Sequence, residues 1–175
     1  MYKTLETLSF REIIGYSIDG EEKAAEFYQN LADKLSELMA KRYESLARDE
    51  EIHKRELIRL HKTLFGTEDY VVPDKKGLPP HEGHVEVESV ANLIDSLNRA
   101  IQNERNAYKL YRYVSKTHPE HSKLFQYLAI MEKGHEESLV VEKRIYEGGT
   151  YAEPEIRDMD PQALKEFQLE KWRIH

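Results

Sequence analysis

The chain has 175 residues, 34% charged and 39% hydrophobic, which is the composition of one globular domain and not of a disordered segment. Its 26 Lys and Arg face 33 Asp and Glu, and the resulting net charge of −7 argues against a general nucleic-acid binder. There is no cysteine, which excludes disulfides, thiol catalysis and thiolate-held metals and leaves His, Asp, Glu and backbone oxygen as the available ligands.

Taken in chain order, four long stretches carry a helical period. The first opens at Ser9, with Glu12 three residues later in a capping-box pattern, and continues through Ile13, Ile14, Ile18, Ala24, Ala25, Phe27, Tyr28, Leu31 and Leu35. Ser36 is the expected N-cap of the second, whose apolar positions run from Met39 to Leu64 before Gly66 stops it. Between Gly66 and Glu88, Pro73, Pro79, Pro80, Gly77 and Gly83 exclude a helix, while Val71, Val72, Val85 and Val87 suggest extended chain. A connection of this length is expected to run the length of a bundle. The third helix begins near Ser89. The fourth begins at His118 with Pro119 at its first position and ends at Gly148-Gly149. Asp160-Pro161 then opens a short amphipathic helix with Leu164, Phe167, Trp172 and Ile174, which would pack on the bundle or on a neighbouring subunit. The expected architecture is all-α: a four-helix bundle of two hairpins over residues 1–149, and a tail with a short helix over 150–175. The longest apolar run is the five residues from Tyr127 to Met131, so no membrane span is expected. The opening residues lack the apolar core of a secretory signal, and the expected location is cytoplasmic.

The two hairpins resemble each other. Advanced by 83 positions, Ile18, Glu21, Ala24 and Tyr28 fall on Ile101, Glu104, Ala107 and Tyr111. Advanced by 82, Leu46, Ala47, Glu50, His53 and Leu57 fall on Leu128, Ala129, Glu132, His135 and Leu139. A chain rich in glutamate contains Glu-x-x-His by chance. Two copies at matched places in matched hairpins are another matter. Glu21 and Glu50 are equidistant from the first turn, and Glu104 and Glu132 from the second, each about 20 Å away at about 1.5 Å per residue. Since i and i+3 share a helix face, two facing hairpins would bring Glu21, Glu50, His53, Glu104, Glu132 and His135 to one level of the core.

Four buried carboxylates cannot stay ionised and unpaired. Carboxylate oxygen with imidazole suits iron, manganese or zinc, and one Glu from each of two helices with Glu-x-x-His from the other two is the ligand set of di-iron carboxylate bundles. Tyr28 and Tyr111, two turns beyond Glu21 and Glu104, are expected either to hydrogen-bond near the metals or to serve as core aromatics. Glu51, Glu136 and Glu137 are expected to be solvated, and Gly134 to mark a close helix approach or a local bulge. His81 with His84 in the crossover, and His118 with His121, could bind a second metal but read more readily as ordinary surface histidines, and they are not assigned.

On Glu21 through Tyr28, Glu50-Glu51-Ile52-His53, Asn103-Glu104 through Tyr111 and Glu132-Lys133-Gly134-His135, the chain resembles the rubrerythrin-like branch of the ferritin-like superfamily. The resemblance implies a ferritin-like bundle with two iron ions. Glu50 and Glu132 would bridge them, Glu21 and Glu104 would be terminal ligands, and His53 and His135 would each hold one ion. It further implies an oxidoreductase acting on hydrogen peroxide or dioxygen, an external electron donor such as a rubredoxin-like protein, and a homodimer. A ferroxidase and a non-catalytic metal-binding dimer are the alternatives. Two features depart from the family pattern: a chain without cysteine has no rubredoxin domain, and Ala107 stands where the archetype carries an additional glutamate.

Overall fold

The computed structural model describes residues 2–148, apart from residues 75 and 86. The helix expected over 160–174 lies outside the described residues. A short helix α1 (Tyr2–Leu5) precedes α2 (Phe10–Asp33) and α3 (Glu37–Phe65); the crossover then leads to α4 (Val90–Thr117), a 3₁₀ turn (Pro119–His121) and α5 (Ser122–Gly148). The described residues contain no β-strand, and the valines of the crossover lie in none; Lys76 and Leu78 form an isolated bridge.

The helix boundaries have local causes. The Ser9 side chain accepts from the Glu12 amide at 3.3 Å while Glu12 accepts from the Ser9 amide at 2.8 Å, which closes the expected capping box. Ser89 caps α4 by accepting from the Asn92 amide, whereas Ser36 holds the N-cap position of α3 without a side-chain bond. Gly66 ends α3 at φ 74°, a left-handed conformation, and its N–H reaches Lys62 O. The fourth long helix differs from expectation at its start: Pro119 opens a 3₁₀ turn and α5 proper begins at Ser122. Proline at a first position suits both helix types, so the sequence pattern did not separate them.

Close backbone packing pairs α2 with α3 and α4 with α5, while α2 approaches α4 much more sparingly. The hairpins therefore meet through side chains, with room between them for long polar groups. Two apolar clusters fill the bundle. One gathers Leu31, Leu35, Tyr43, Leu93 and Leu97 at the α2–α3 turn, joined by Val85 and Val87 of the crossover. The other gathers Ile14, Ile18, Leu57, Val114, Phe125 and Leu128 at the opposite end, where Leu5 and Leu8 seal it.

The crossover runs along α2. Val71 lies against Gly15, Tyr16 Oη donates to Pro79 O at 2.7 Å, and Asn30 Nδ2 donates to Gly83 O at 3.0 Å. A Cβ on Gly15 would lie 2.2 Å from Val71 O, so only glycine admits the chain there. Gly134 has nothing within 4 Å of a Cβ position; the close approach expected there does not occur.

Candidate metal centre

The repeat places its six residues on four helices: Glu21 on α2, Glu50 and His53 on α3, Glu104 on α4, and Glu132 and His135 on α5. All six are buried, with relative exposures of 1–6%. The structure brings them together in two overlapping groups whose ligating atoms lie within 4.8 Å of one another: Glu21, Glu50, His53 and Glu132, and Glu50, Glu104, Glu132 and His135. Glu50 and Glu132 belong to both groups.

Around the first imidazole, His53 Nδ1 is 3.0 Å from Glu132 Oε1, 3.1 Å from Glu50 Oε2 and 3.4 Å from Glu21 Oε2. Around the second, His135 Nδ1 is 3.0 Å from Glu50 Oε1, 3.6 Å from Glu104 Oε2 and 3.8 Å from Glu132 Oε2. The rings are 5.8 Å apart at 22°. The two halves thus repeat each other through the shared carboxylates, as the two-hairpin repeat requires.

The tyrosines cross over between the hairpins. Tyr28 of α2 donates to Glu104 Oε1 of α4, and Tyr111 of α4 donates to Glu21 Oε1 of α2. Both rings are fully buried, and burial together with the facing carboxylate pushes each phenol well above its ordinary pKa. Each tyrosine therefore remains a hydrogen-bond donor that fixes one glutamate oxygen and leaves the other facing the centre.

The electrostatics are those of a cluster short of positive charge. Among the described residues the four glutamates have imidazoles as their cationic partners, and no Lys or Arg pairs with them. Burial pushes Glu21 up to about 8, with Glu50 adding to the effect and His53 opposing it. Burial, then Glu50, Glu21 and Glu104, push Glu132 well above the carboxylate range. Burial would also raise Glu50, but its bonds to His135 and His53 prevail and hold it low. Burial opposes charge on both histidines, yet the carboxylates overcome it, raising His53 and bringing His135 to about 10. Without a metal, the site balances its charge by keeping protons.

The donor atoms fit a metal pair. Glu50 Oε1, Glu104 Oε2, Glu132 Oε1 and both ring nitrogens of His135 are buried without a hydrogen bond of good geometry. Orphaned buried polar atoms are costly, and these belong to the residues that converge. Six oxygen and nitrogen donors arranged as two groups with two shared carboxylates provide for two neighbouring cations.

Two surrounding features escaped the sequence pattern. Glu136, expected to be solvated, is buried at 6% exposure and paired with Arg105 at 2.5 Å and Lys133 at 2.9 Å. It follows Glu132 by four residues and so lies beside it on the face turned towards α4. Asp49 Oδ2 lies 3.6 Å from His135 Nε2, the side from which a ligating histidine is commonly oriented. No spacing rule singles out Asp49.

The sequence matches the family model for rubrerythrin over residues 12–143. Among solved structures, the fold is similar to that of a hypothetical protein from Pyrococcus furiosus, with a TM-score of 0.78 and 28% sequence identity over 86% of this chain and 98% of the other. No curated protein matches the sequence.

Proposed function

We propose a function from the premise that the chain belongs to the rubrerythrin family: it holds two iron ions in the bundle core and reduces hydrogen peroxide or dioxygen there. The observation that carries this reading is the pair of overlapping ligand groups with Glu50 and Glu132 in common. Glu50 and Glu132 would bridge the two ions, Glu21 and Glu104 would close the outer positions, and His53 and His135 would each hold one. Manganese or zinc would find the same donors. When bound, an iron pair supplies the two electrons that cleave a peroxide O–O bond.

The protein's part is positional and electrostatic. Tyr28 and Tyr111 hold Glu104 and Glu21 from the opposite hairpin, so neither outer carboxylate can turn away without breaking a buried bond. Four carboxylates balance two divalent ions, which removes the need for stored protons. The apolar clusters above and below keep bulk water from the layer between them. Reducing one hydrogen peroxide to two waters consumes two electrons and two protons. With no cysteine in the sequence, those electrons come from an external donor such as a rubredoxin-like protein. A homodimer is part of the proposal, and Leu38 and Ile130, 83% and 71% exposed, are apolar positions that a second copy would cover.

The same lack of a thiolate iron site favours a second reading, a ferroxidase that takes its electrons from fresh Fe(II). Loading the protein anaerobically with Fe(II) and adding hydrogen peroxide or air in separate runs separates the readings. The peroxidase reading expects a visible absorption change with peroxide and, with a reduced rubredoxin-like donor present, donor oxidation in proportion to peroxide consumed. Steady Fe(II) consumption that no donor suppresses would instead identify the ferroxidase. An iron-loaded protein whose spectrum never changes would be a non-catalytic metal-binding bundle.

A further inference from the structure

The gap between α2 and α4 leaves a cavity directly over Glu21 and Glu104. Its walls include the small residues Gly20 and Ala24 on α2 and Ala107 on α4, and its roof is the crossover from Pro79 to Glu82. The space open to the centres of water-sized molecules is about 50 Å³, and one ordered water needs about 10–15 Å³ of such space. A few water-sized groups fit beside the carboxylates.

The roof is fastened to α2, and His81 lines the cavity from it. Tyr16 Oη holds Pro79 O at 2.7 Å, and the His81 ring packs on the Tyr16 ring at 4.2 Å. His81 Nδ1 is 2.6 Å from Asp19 Oδ2. An ionised Asp19 can only accept, so the proton of a neutral ring sits on Nδ1 and the Nε2 lone pair is left available. Nε2 lies at Gly20, on the cavity wall; a Cβ at Gly20 would meet Cε1 and Nε2 at 3.2 Å. A side chain at position 20 would press on the ring, which would have to give by a few tenths of an ångström. Burial lowers the pKa of His81, with Asp19 opposing.

We propose that this cavity is the substrate pocket of the metal centre and that His81 binds the substrate in it, Nε2 accepting a hydrogen bond from hydrogen peroxide while the walls exclude hydroperoxides bearing a branched organic group. The proposal rests on the reading of the centre given above and adds to it a binding residue from the crossover, outside the repeated hairpins.

The test uses full-length protein labelled with ¹⁵N-histidine and loaded with zinc, which binds the same donors without redox chemistry. Zinc content is measured first, and the His81 Nε2 resonance is then followed on titration with hydrogen peroxide and, separately, with tert-butyl hydroperoxide. The expected result is a saturable shift with hydrogen peroxide, none with the bulkier compound, and peroxide binding weakened about tenfold or more in an Ala107→Leu variant of unchanged zinc content. Zinc bound normally with His81 unmoved by hydrogen peroxide, or moved equally by both compounds, overturns the pocket assignment and leaves the metal centre standing. Failure of the wild type to bind zinc overturns the centre itself, and the pocket with it.

Discussion

The bond from Tyr28 to Glu104 and its counterpart from Tyr111 to Glu21 tie the two hairpins together at the level of the carboxylates. In a Tyr28→Phe variant, Glu104 Oε1 would lose its donor in a fully buried setting, at a cost of about 1–3 kcal/mol. Urea denaturation of the metal-free protein measures that loss, and Tyr111→Phe should match it because the two bonds are equivalent under the repeat. The stored protons make a second prediction. Glu132 is raised well above the carboxylate range, Glu21 is raised to about 8, and both imidazoles are raised, His135 to about 10. A metal ion needs these donors deprotonated, so binding releases protons and tightens as pH rises towards those values. Calorimetry of metal binding in buffers of different ionisation enthalpy should show net proton release at neutral pH; buffer-independent heats would contradict it. The six clustered residues were legible in the sequence because the repeat matched them twice. The crossing of the tyrosines was not, because it depends on α2 and α4 running side by side in opposite directions, a relation between hairpins that spacing within one does not state.

Among the elements, ends were easier to read than connections. Ser9, Gly66 and Ser89 act locally, and each caps the helix that the sequence assigns to it. Ser9→Ala should lower stability by about 1 kcal/mol, read from the urea midpoint. Helix α1 escaped notice because four residues are too short to display a period. The crossover valines suggested extended chain, but their roles divide: Val71 and Val72 are exposed, whereas Val85 and Val87 enter the core. Val71 meets α2 through its backbone, which leaves its side chain outside. Gly15 is where the contact is tightest, and a Gly15→Val substitution would drive Val71 O away. The expected cost is about 1–3 kcal/mol, accompanied by faster proteolytic cleavage between residues 66 and 88. An unchanged cleavage rate would mean that the crossover is not held there.

At the scale of the whole molecule, the bundle is two apolar clusters separated by a polar layer, and the layer is stabilised only when its charge is balanced. A metal that binds the folded chain and not the unfolded one raises stability by mass action, about 2.7 kcal/mol when free metal is a hundredfold above its Kd. Chelation should therefore lower Tm, and metal should restore it in a concentration-dependent way. Among the described residues no helix is long and apolar enough to cross a membrane. The most direct test is the metal content per chain after anaerobic loading with Fe(II) and removal of excess, for the wild type and for Glu50→Ala and His135→Ala. The account predicts about two ions per wild-type chain and a clear loss in both variants. Near-zero iron in the wild type, or undiminished iron in both variants, would contradict it.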